Sequence, residues 1–259
     1  HKAQNRRLRA ASYFFYGVWD YRFLFLLIFT TTADYFCGRL LESSKYQKTR
    51  MSLLFLDIGM HMGLLCVFKY FNFFYESTRL LAVKTGLHLP EIYLNVILAL
   101  GISFYTFQSI SYIIDVYWRK INSEKGYFDY LLYVAFFPQL LAGPIDRADH
   151  LLPQIKTPRV LNIEVFLSGI VLASYGMFKK VVIADNIAVL VDPIFRLSGM
   201  QLASTADLMF GSILFIFQIY ADFSGYSDIA RGTARTLGFD LALNFNKPLF
   251  SSNPIELWE

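Results

Sequence analysis

Long apolar runs, separated by short polar linkers, dominate the first half of the chain. A membrane-spanning helix needs about 20 mostly apolar residues. Residues 92–114 are the clearest candidate, because they carry no charged side chain and end beside aromatic and basic residues that suit a membrane–water boundary. Residues 51–68 form a second candidate that a single acidic residue interrupts. Residues 23–33 reach spanning length only if the helix continues through Asp34 to Leu41.

The second half repeats this pattern. Residues 165–178 lead through Lys179 and Lys180 into another apolar stretch, and the two lysines either snorkel at an interface or face the protein interior. Residues 208–221 are uncharged and run into Asp222. These runs predict about six membrane helices in all.

Two shorter segments predict interfacial or re-entrant structure. Residues 10–19 are too short to span a bilayer and join the next helix through a polar elbow at residues 20–22. Residues 130–145 are uncharged but contain Pro138, which disfavours a continuous helix, so we expect a break there. Irregular backbone at membrane depth must be buried in protein or line a wet cavity. The predicted fold class is therefore all-α: residues 1–259 form a single domain of a polytopic integral membrane protein.

Composition supports the bilayer as the solvent. Of the 259 residues 55% are hydrophobic and only 17% are charged, whereas soluble domains average about 45–50% apolar and about 25% charged residues. The chain starts with a basic cluster that contains no acidic residue, at residues 2–9. Such a cluster beside apolar segments indicates the cytoplasmic side or an anionic lipid surface, and not a nucleic-acid partner.

Cysteine and histidine provide no recognisable site. Two cysteines make no disulfide framework, and the four histidines share no metal-binding or catalytic spacing. These residues are Cys37, Cys66, His1, His61, His88 and His150. The sequence therefore predicts neither a metal ion nor a bound cofactor.

Residues 217–238 carry the most information. If the segment is helical, six residues fall on one line along it, and all but one of them are small or polar: Gly211, Gln218, Asp222, Gly225, Ile229 and Gly232. Small residues on such a stripe let helix backbones approach closely. Asp222, Tyr226 and Asp228 are candidate polar residues of a substrate path or of the helix packing, and Arg231 and Arg235 lie within reach for ion pairing. Two interpretations of the carboxylates stay open: they hold the helices together, or they line the reaction path.

Two further segments hold polar side chains in apolar surroundings. Gln139 lies beside Pro138 in residues 136–144 and must find hydrogen-bond partners, either by capping a broken helix or by contacting a ligand. Gln108 lies in residues 104–111, where polar side chains usually join helices through weak hydrogen bonds.

Three blocks of sequence carry a resemblance to a known family. They read GISFYTFQSISYIIDVY at residues 101–117, FFPQLLAGPI at residues 136–145, and YADFSGYSDIARGTARTLGFDLALNFNKPLFSSNPIELWE at residues 220–259. Together with ASYFFYGVWDYRFLFLL at residues 11–27, they closely resemble bacterial membrane-bound O-acyltransferases, in the alginate O-acetyltransferase branch whose relatives include the D-alanyl transferase of teichoic acids.

The resemblance implies a ring of helices with funnels entering from both faces. It also implies a key histidine in a Trp-x-x-Trp-His-like arrangement, which is expected just beyond Glu259, so that no catalytic residue is assigned within the chain. Glu259 itself stands where the family commonly has a basic residue. Histidine suits acetyl transfer because it titrates near neutral pH and can accept the proton of the attacking hydroxyl. We interpret both ends as cut and expect the fragment alone to be inactive.

The expected function is O-acetylation of an exopolysaccharide or another cell-envelope glycan. Acetyl-CoA or an acyl carrier would be the donor substrate, and a periplasmic or extracellular acetyl-transfer protein a further partner, at the inner membrane. A transporter or channel would also explain broken helices and an intramembrane carboxylate. A non-catalytic scaffold of the same family is a third hypothesis, which a Trp-His pair beyond residue 259 would exclude.

Overall fold

The computed structural model describes residues 1–85, 90, 92, 101–140, 143–160, 162–199, 203–246 and 248–258. Within these ranges the protein is almost entirely helical and contains no strand. The helices are α1 Lys2–Trp19, α2 Tyr21–Ser43, α3 Gln47–Leu65, α4 Phe71–Lys84, α5 Ile102–Tyr117, α6 Tyr127–Val134, α7 Phe137–Leu140, α8 Ala148–Lys156, α9 Ile163–Met177, α10 Asp185–Gly199, α11 Thr205–Thr236 and α12 Pro254–Trp258. A 3₁₀ turn, Pro248–Phe250, precedes α12.

The chain divides into two compact units, which are described in turn. The amino-terminal unit comprises residues 2–137 and 147–155. The carboxy-terminal unit comprises residues 138–146 and 156–259, together with residue 1.

The polar elbow predicted at residues 20–22 is confirmed as the boundary between α1 and α2. Asp20 has an extended backbone, and its carboxylate accepts a hydrogen bond from the Arg22 backbone N–H at 2.9 Å. The side chain thus caps the first turn of α2, and the Arg22 guanidinium lies 2.6 Å from the same carboxylate. The bond from Arg22 also holds the pKa of Asp20 below its usual value. α1 itself begins at Lys2, eight residues before the predicted start at residue 10, because the basic segment continues the helix.

Two membrane helices are longer than the sequence predicts. α3 continues through a π-helical segment, Cys66–Tyr70, into α4, so that one helix runs over Gln47–Lys84. α9 continues in the same way through Phe178–Ala184 into α10. A π-helical segment accommodates a local change of register without ending the helix, and such segments are frequent at functional sites.

Among the described residues, four helices are long and apolar enough to cross a membrane: Tyr21–Ser43, Gln47–Lys84, Ile163–Leu197 and Thr205–Thr236. They confirm a polytopic helical membrane protein. The strongest sequence candidate, residues 92–114, lies in part outside the described residues, and its second half is α5. The expected total of about six membrane helices therefore stays a prediction.

The helix break predicted near Pro138 is confirmed, because α6 and α7 are separate helices. α6 ends at Val134, and all residues from 130 to 136 are buried. Aromatic rings pack together here: the ring centroids of Tyr130 and of Tyr112 on α5 are 4.6 Å apart. Pro138 itself stands in the first turn of α7, where a proline costs no helical hydrogen bond. The segment is internal, as irregular backbone at membrane depth requires.

In the carboxy-terminal unit, glycines allow the backbones of α9 and α11 to contact each other directly. A Cβ atom on Gly232 would lie 2.4 Å from the backbone nitrogen of Ala173, and one on Gly176 would lie 2.6 Å from the Gly225 carbonyl oxygen. A Cβ on Gly211 would lie 2.9 Å from Ile194 of α10. The small-residue stripe predicted on α11 is thereby confirmed as the face that packs against its neighbours.

Candidate functional site

A network of charged side chains joins the π-helical segment after α9 to α11. Lys179 Nζ donates a hydrogen bond to Asp228 Oδ2 at 2.6 Å, and only 15% and 13% of the two side chains are exposed. The pair lies beside the glycine contacts, which bring the two helices close enough for a direct ion pair. Both lysines of this segment face α11. Of the two placements that the sequence left open, Lys179 takes the interior one, whereas the Lys180 side chain is 26% exposed.

Lys180 gathers two more carboxylates. Its Nζ lies 2.7 Å from Asp222 Oδ1 and 2.7 Å from Asp185 Oδ1. The ring of Tyr226 is a further neighbour, with its centroid 5.5 Å from the same nitrogen. The structure therefore brings Asp222, Tyr226 and Asp228 together around two adjacent lysines.

The end of α11 extends the network. Arg231 Nη1 lies 3.9 Å from Asp228 Oδ1, and its Nε donates to the Leu241 carbonyl. Arg235 pairs with Asp240, beyond the helix, at 3.5 Å. The pairing predicted for Arg231 is confirmed, whereas Arg235 turns away from Asp228 to a different carboxylate.

The described core of this network is electrically balanced. Three cations, Lys179, Lys180 and Arg231, face three carboxylates, Asp185, Asp222 and Asp228. Asp228 is bound by two of these cations and is largely buried, so its removal would leave buried cations without their ion pair. Asp228 therefore fits the assembly interpretation. The side chain of Asp222 is 41% exposed, which leaves the interpretation as part of the reaction path open for this residue.

The two glutamines are both buried. Gln108 Nε2 donates to the Tyr133 carbonyl at 3.0 Å, which joins α5 to α6 in the manner expected of a structural polar residue. Gln139 lies on α7, and its backbone carbonyl oxygen accepts the backbone N–H of Gly143 at 3.0 Å. A Cβ on Gly143 would meet Gln139 on one side and Ala230 of α11 on the other, so this turn is closely packed.

A second polar cluster, which the sequence did not reveal, lies in the amino-terminal unit. His61 on α3 is completely buried, and its Nε2 is 2.8 Å from Asp34 Oδ1 of α2 and 4.0 Å from Asp57 Oδ2. The only sequence signal was the four-residue spacing between Asp57 and His61, which places both on one face of α3. Asp34 joins them solely through the packing of α2 on α3.

The last helix, α12, contains most of the family motif at residues 256–259. Glu256 Oε2 accepts hydrogen bonds from the Ser252 hydroxyl at 2.6 Å and from the Ser252 backbone N–H at 2.8 Å. These two bonds hold the pKa of Glu256 below its ordinary value, so the residue is ionised at neutral pH. The carboxylate thus organises the turn that leads into the motif.

Comparison with known proteins gives similarity along nearly the whole chain. A probable alginate O-acetylase of Pseudomonas putida is 38% identical over 98% of this chain and 52% of its own length. That of Pseudomonas aeruginosa is also 38% identical, over 98% of this chain and 48% of its own length. A peptidoglycan O-acetyltransferase of Helicobacter pylori is 33% identical over 96% of this chain and 51% of its own length. The chain spans about half the length of these curated relatives. No protein-family model matches it.

Proposed function

The chain belongs to the membrane-bound O-acyltransferase family, in the branch of the alginate O-acetylases, and from this we propose that it forms part of an enzyme that acetylates glycan hydroxyls. The acceptor is an exopolysaccharide or another cell-envelope glycan. The observation that carries the proposal is the 38% identity along 98% of the chain, which covers both compact units.

The physical features of the chain fit this chemistry. Membrane-spanning helices suit a reaction in which a donor from the cytoplasm, acetyl-CoA or an acyl carrier, serves an acceptor on the other side of the inner membrane. A hydroxyl attacking an acyl carbonyl needs a proton acceptor with a pKa near the working pH, and histidine meets that need. We place this histidine directly after the motif at residues 256–259. An acetyl-transfer protein on the acceptor side is the expected partner.

In this scheme the described residues provide the scaffold. The α9–α11 contact is rigid because backbone touches backbone, and the ion pairs fix the rotation of α11. α11 leads towards the turn that Glu256 organises, so its position affects where the following histidine lies. Asp222 is the described candidate for contact with the reaction path.

The test is complementation of a Pseudomonas strain that lacks its own alginate O-acetylase. The full-length protein carrying this chain should restore base-labile acetate on purified alginate, and a version truncated after residue 259 should not. The abundance of both proteins in the membrane is measured in parallel. Full-length protein at normal abundance without acetate on any envelope glycan would overturn the proposal, as a transporter or a non-catalytic scaffold predicts.

The Helicobacter relative supports a second acceptor, peptidoglycan. The same cells therefore serve for measuring acetate on purified peptidoglycan as well. Acetate on peptidoglycan alone would assign the protein to that acceptor, while acetate on alginate alone would assign it to the exopolysaccharide.

A further inference from the structure

Asp34, Asp57 and His61 form a closed polar cluster between α2 and α3. Each residue is at most 1% exposed, and one oxygen or nitrogen atom of each lies within 4.8 Å of the other two. α5 packs on both helices, and two of its own hydroxyls, those of Thr106 and Ser109, are buried and make no hydrogen bond.

The charge of this cluster is not balanced. Two carboxylates face one imidazole, so if both carboxylates were ionised, even a protonated His61 would leave one negative charge. Within the described ranges, neither Asp34 nor Asp57 is paired with a lysine or an arginine. Burying an unpaired carboxylate inside a membrane domain is costly, and such a group normally neutralises or acquires a partner.

Several atoms of the cluster are also left without hydrogen bonds. Asp34 Oδ2, Asp57 Oδ2 and His61 Nδ1 are buried and contact no donor or acceptor within bonding range. Buried polar atoms in folded proteins are nearly always satisfied. Unsatisfied oxygens on two adjacent carboxylates, together with the surplus negative charge, call for a cation at this place.

We propose that Asp34, Asp57 and His61 bind a divalent metal ion of the zinc type. One nitrogen and two carboxylate oxygens are a donor set that zinc accepts in proteins. Asp57 and His61 are four residues apart on α3, a spacing that puts both ligands on one face of the helix.

The geometry is close to that of a bound site. Zinc ligands lie about 2.0–2.2 Å from the metal. Two ligand atoms at that distance from one tetrahedral ion are about 3.4 Å apart. The three donor atoms here lie within 4.8 Å of one another, so the widest pair would have to move closer to bind the ion. The metal would take the place of the proton now shared between His61 and Asp34, 2.8 Å apart, and would tie α2 to α3. This role is separate from acetyl transfer and does not depend on the proposed function.

The experiment measures the zinc content of the full-length protein, purified in detergent through a tag that contains no histidine. The protein is loaded with Zn²⁺, exchanged into metal-free buffer and analysed by mass spectrometry for metals. A stoichiometric amount of zinc is expected. Asp57→Asn and His61→Gln should each retain at least about tenfold less, because even the loss of an outer-shell partner lowers metal affinity about 10–100-fold.

Two matched controls separate ligation from general damage. His150→Gln replaces an exposed histidine on α8, and Asp115→Asn replaces a buried carboxylate on α5 that faces Lys120. Both should keep the full zinc content. Wild-type protein that holds no zinc after loading would overturn the proposal in favour of a shared proton, and so would ligand variants that retain as much zinc as the wild type.

A second measurement covers the case in which the ligand variants do not accumulate. The melting temperature of the wild-type protein is measured with a strong chelator and again after zinc is restored. The chelator should lower Tm and zinc should return it, since a ligand that binds only the folded state stabilises it. An unchanged Tm in loaded protein would contradict the proposal. Neither readout involves acetyl transfer, so failure here is distinguishable from failure of the proposed function.

Discussion

Two groups of charged side chains lie within apolar helices of this protein, and they differ in whether their charges balance. In the network of α9 and α11, each carboxylate has a lysine or arginine within 4.0 Å, and positive and negative charges are equal in number. In the cluster of α2 and α3, two carboxylates share one histidine. The first arrangement is complete within the chain, whereas the second calls for a proton or a metal ion from outside it.

The comparison separates two uses of an intramembrane carboxylate. A carboxylate that meets a cation fixes the rotation of one helix against the next, and its loss should damage assembly. A carboxylate without a cation marks a place where something must bind. Changes to the charges of the balanced network, to the packing around it and to a buried hydrogen bond of the amino-terminal unit should differ in size, and they follow from the largest expected effect to the smallest.

The largest effect should come from breaking one partner of the balanced network. Asp228→Asn leaves Lys179 as a buried cation that has lost its ion pair, and such a loss typically costs about 3–5 kcal/mol. Membrane abundance and the free energy of unfolding in detergent should both fall. The double variant Lys179→Met, Asp228→Leu removes both charges and should recover at least half of the loss. If the double variant were as unstable as the single one, the balance of charge would not be what matters.

The next effect concerns the packing that brings the charges together. Gly232→Ala would place a Cβ against the backbone of α9, so the helices must separate, at a cost of about 1–3 kcal/mol. Gly63→Ala on α3 is the matched control, because a Cβ there has no atom within 4 Å and alanine is the better helix former. Unfolding of both variants in detergent measures the difference. Equal stability of the two would show that α9 and α11 do not rely on close backbone contact.

Asp222→Asn should affect stability less than Asp228→Asn. Lys180 keeps its bond to Asp185, and the exposed part of Asp222 limits the ion pair to about 0–1 kcal/mol. Acetylation by the full-length protein should fall while its abundance stays near normal, if Asp222 lines the reaction path. If acetylation and abundance both fell, Asp222 would serve assembly instead. Normal acetylation at normal abundance would place the residue at a solvated helix end.

The smallest effect is expected from Gln108→Leu in the amino-terminal unit. The change removes one hydrogen bond to the Tyr133 carbonyl, and such bonds in membrane proteins average about 0.6 kcal/mol. Stability in detergent should therefore drop only slightly, with acetylation unchanged. A marked loss of acetylation at normal stability would show instead that Gln108 contacts a substrate.

Much of the fold could be predicted from the sequence, because the relevant signals are local. A long uncharged apolar run specifies a membrane helix wherever it occurs, as in α11. The breaks at Asp20 and before Pro138 follow from side-chain capping and from the missing amide of proline. The glycine stripe of α11 was visible because helical periodicity alone puts its members on one face. The family was visible from blocks of sequence in a fixed order.

The tertiary structure decided which side chains from different helices meet. Nothing in the spacing along α2 and α3 states that Asp34 faces His61, since the rotation of each helix about its axis depends on how the whole bundle packs. The same holds for Lys179 and Asp228: the sequence left open whether Lys179 lies at an interface or in the interior, and it did not pair the two residues. Hydropathy and periodicity act within one helix, whereas ion pairs and metal ligands arise between helices, where register is set by close packing.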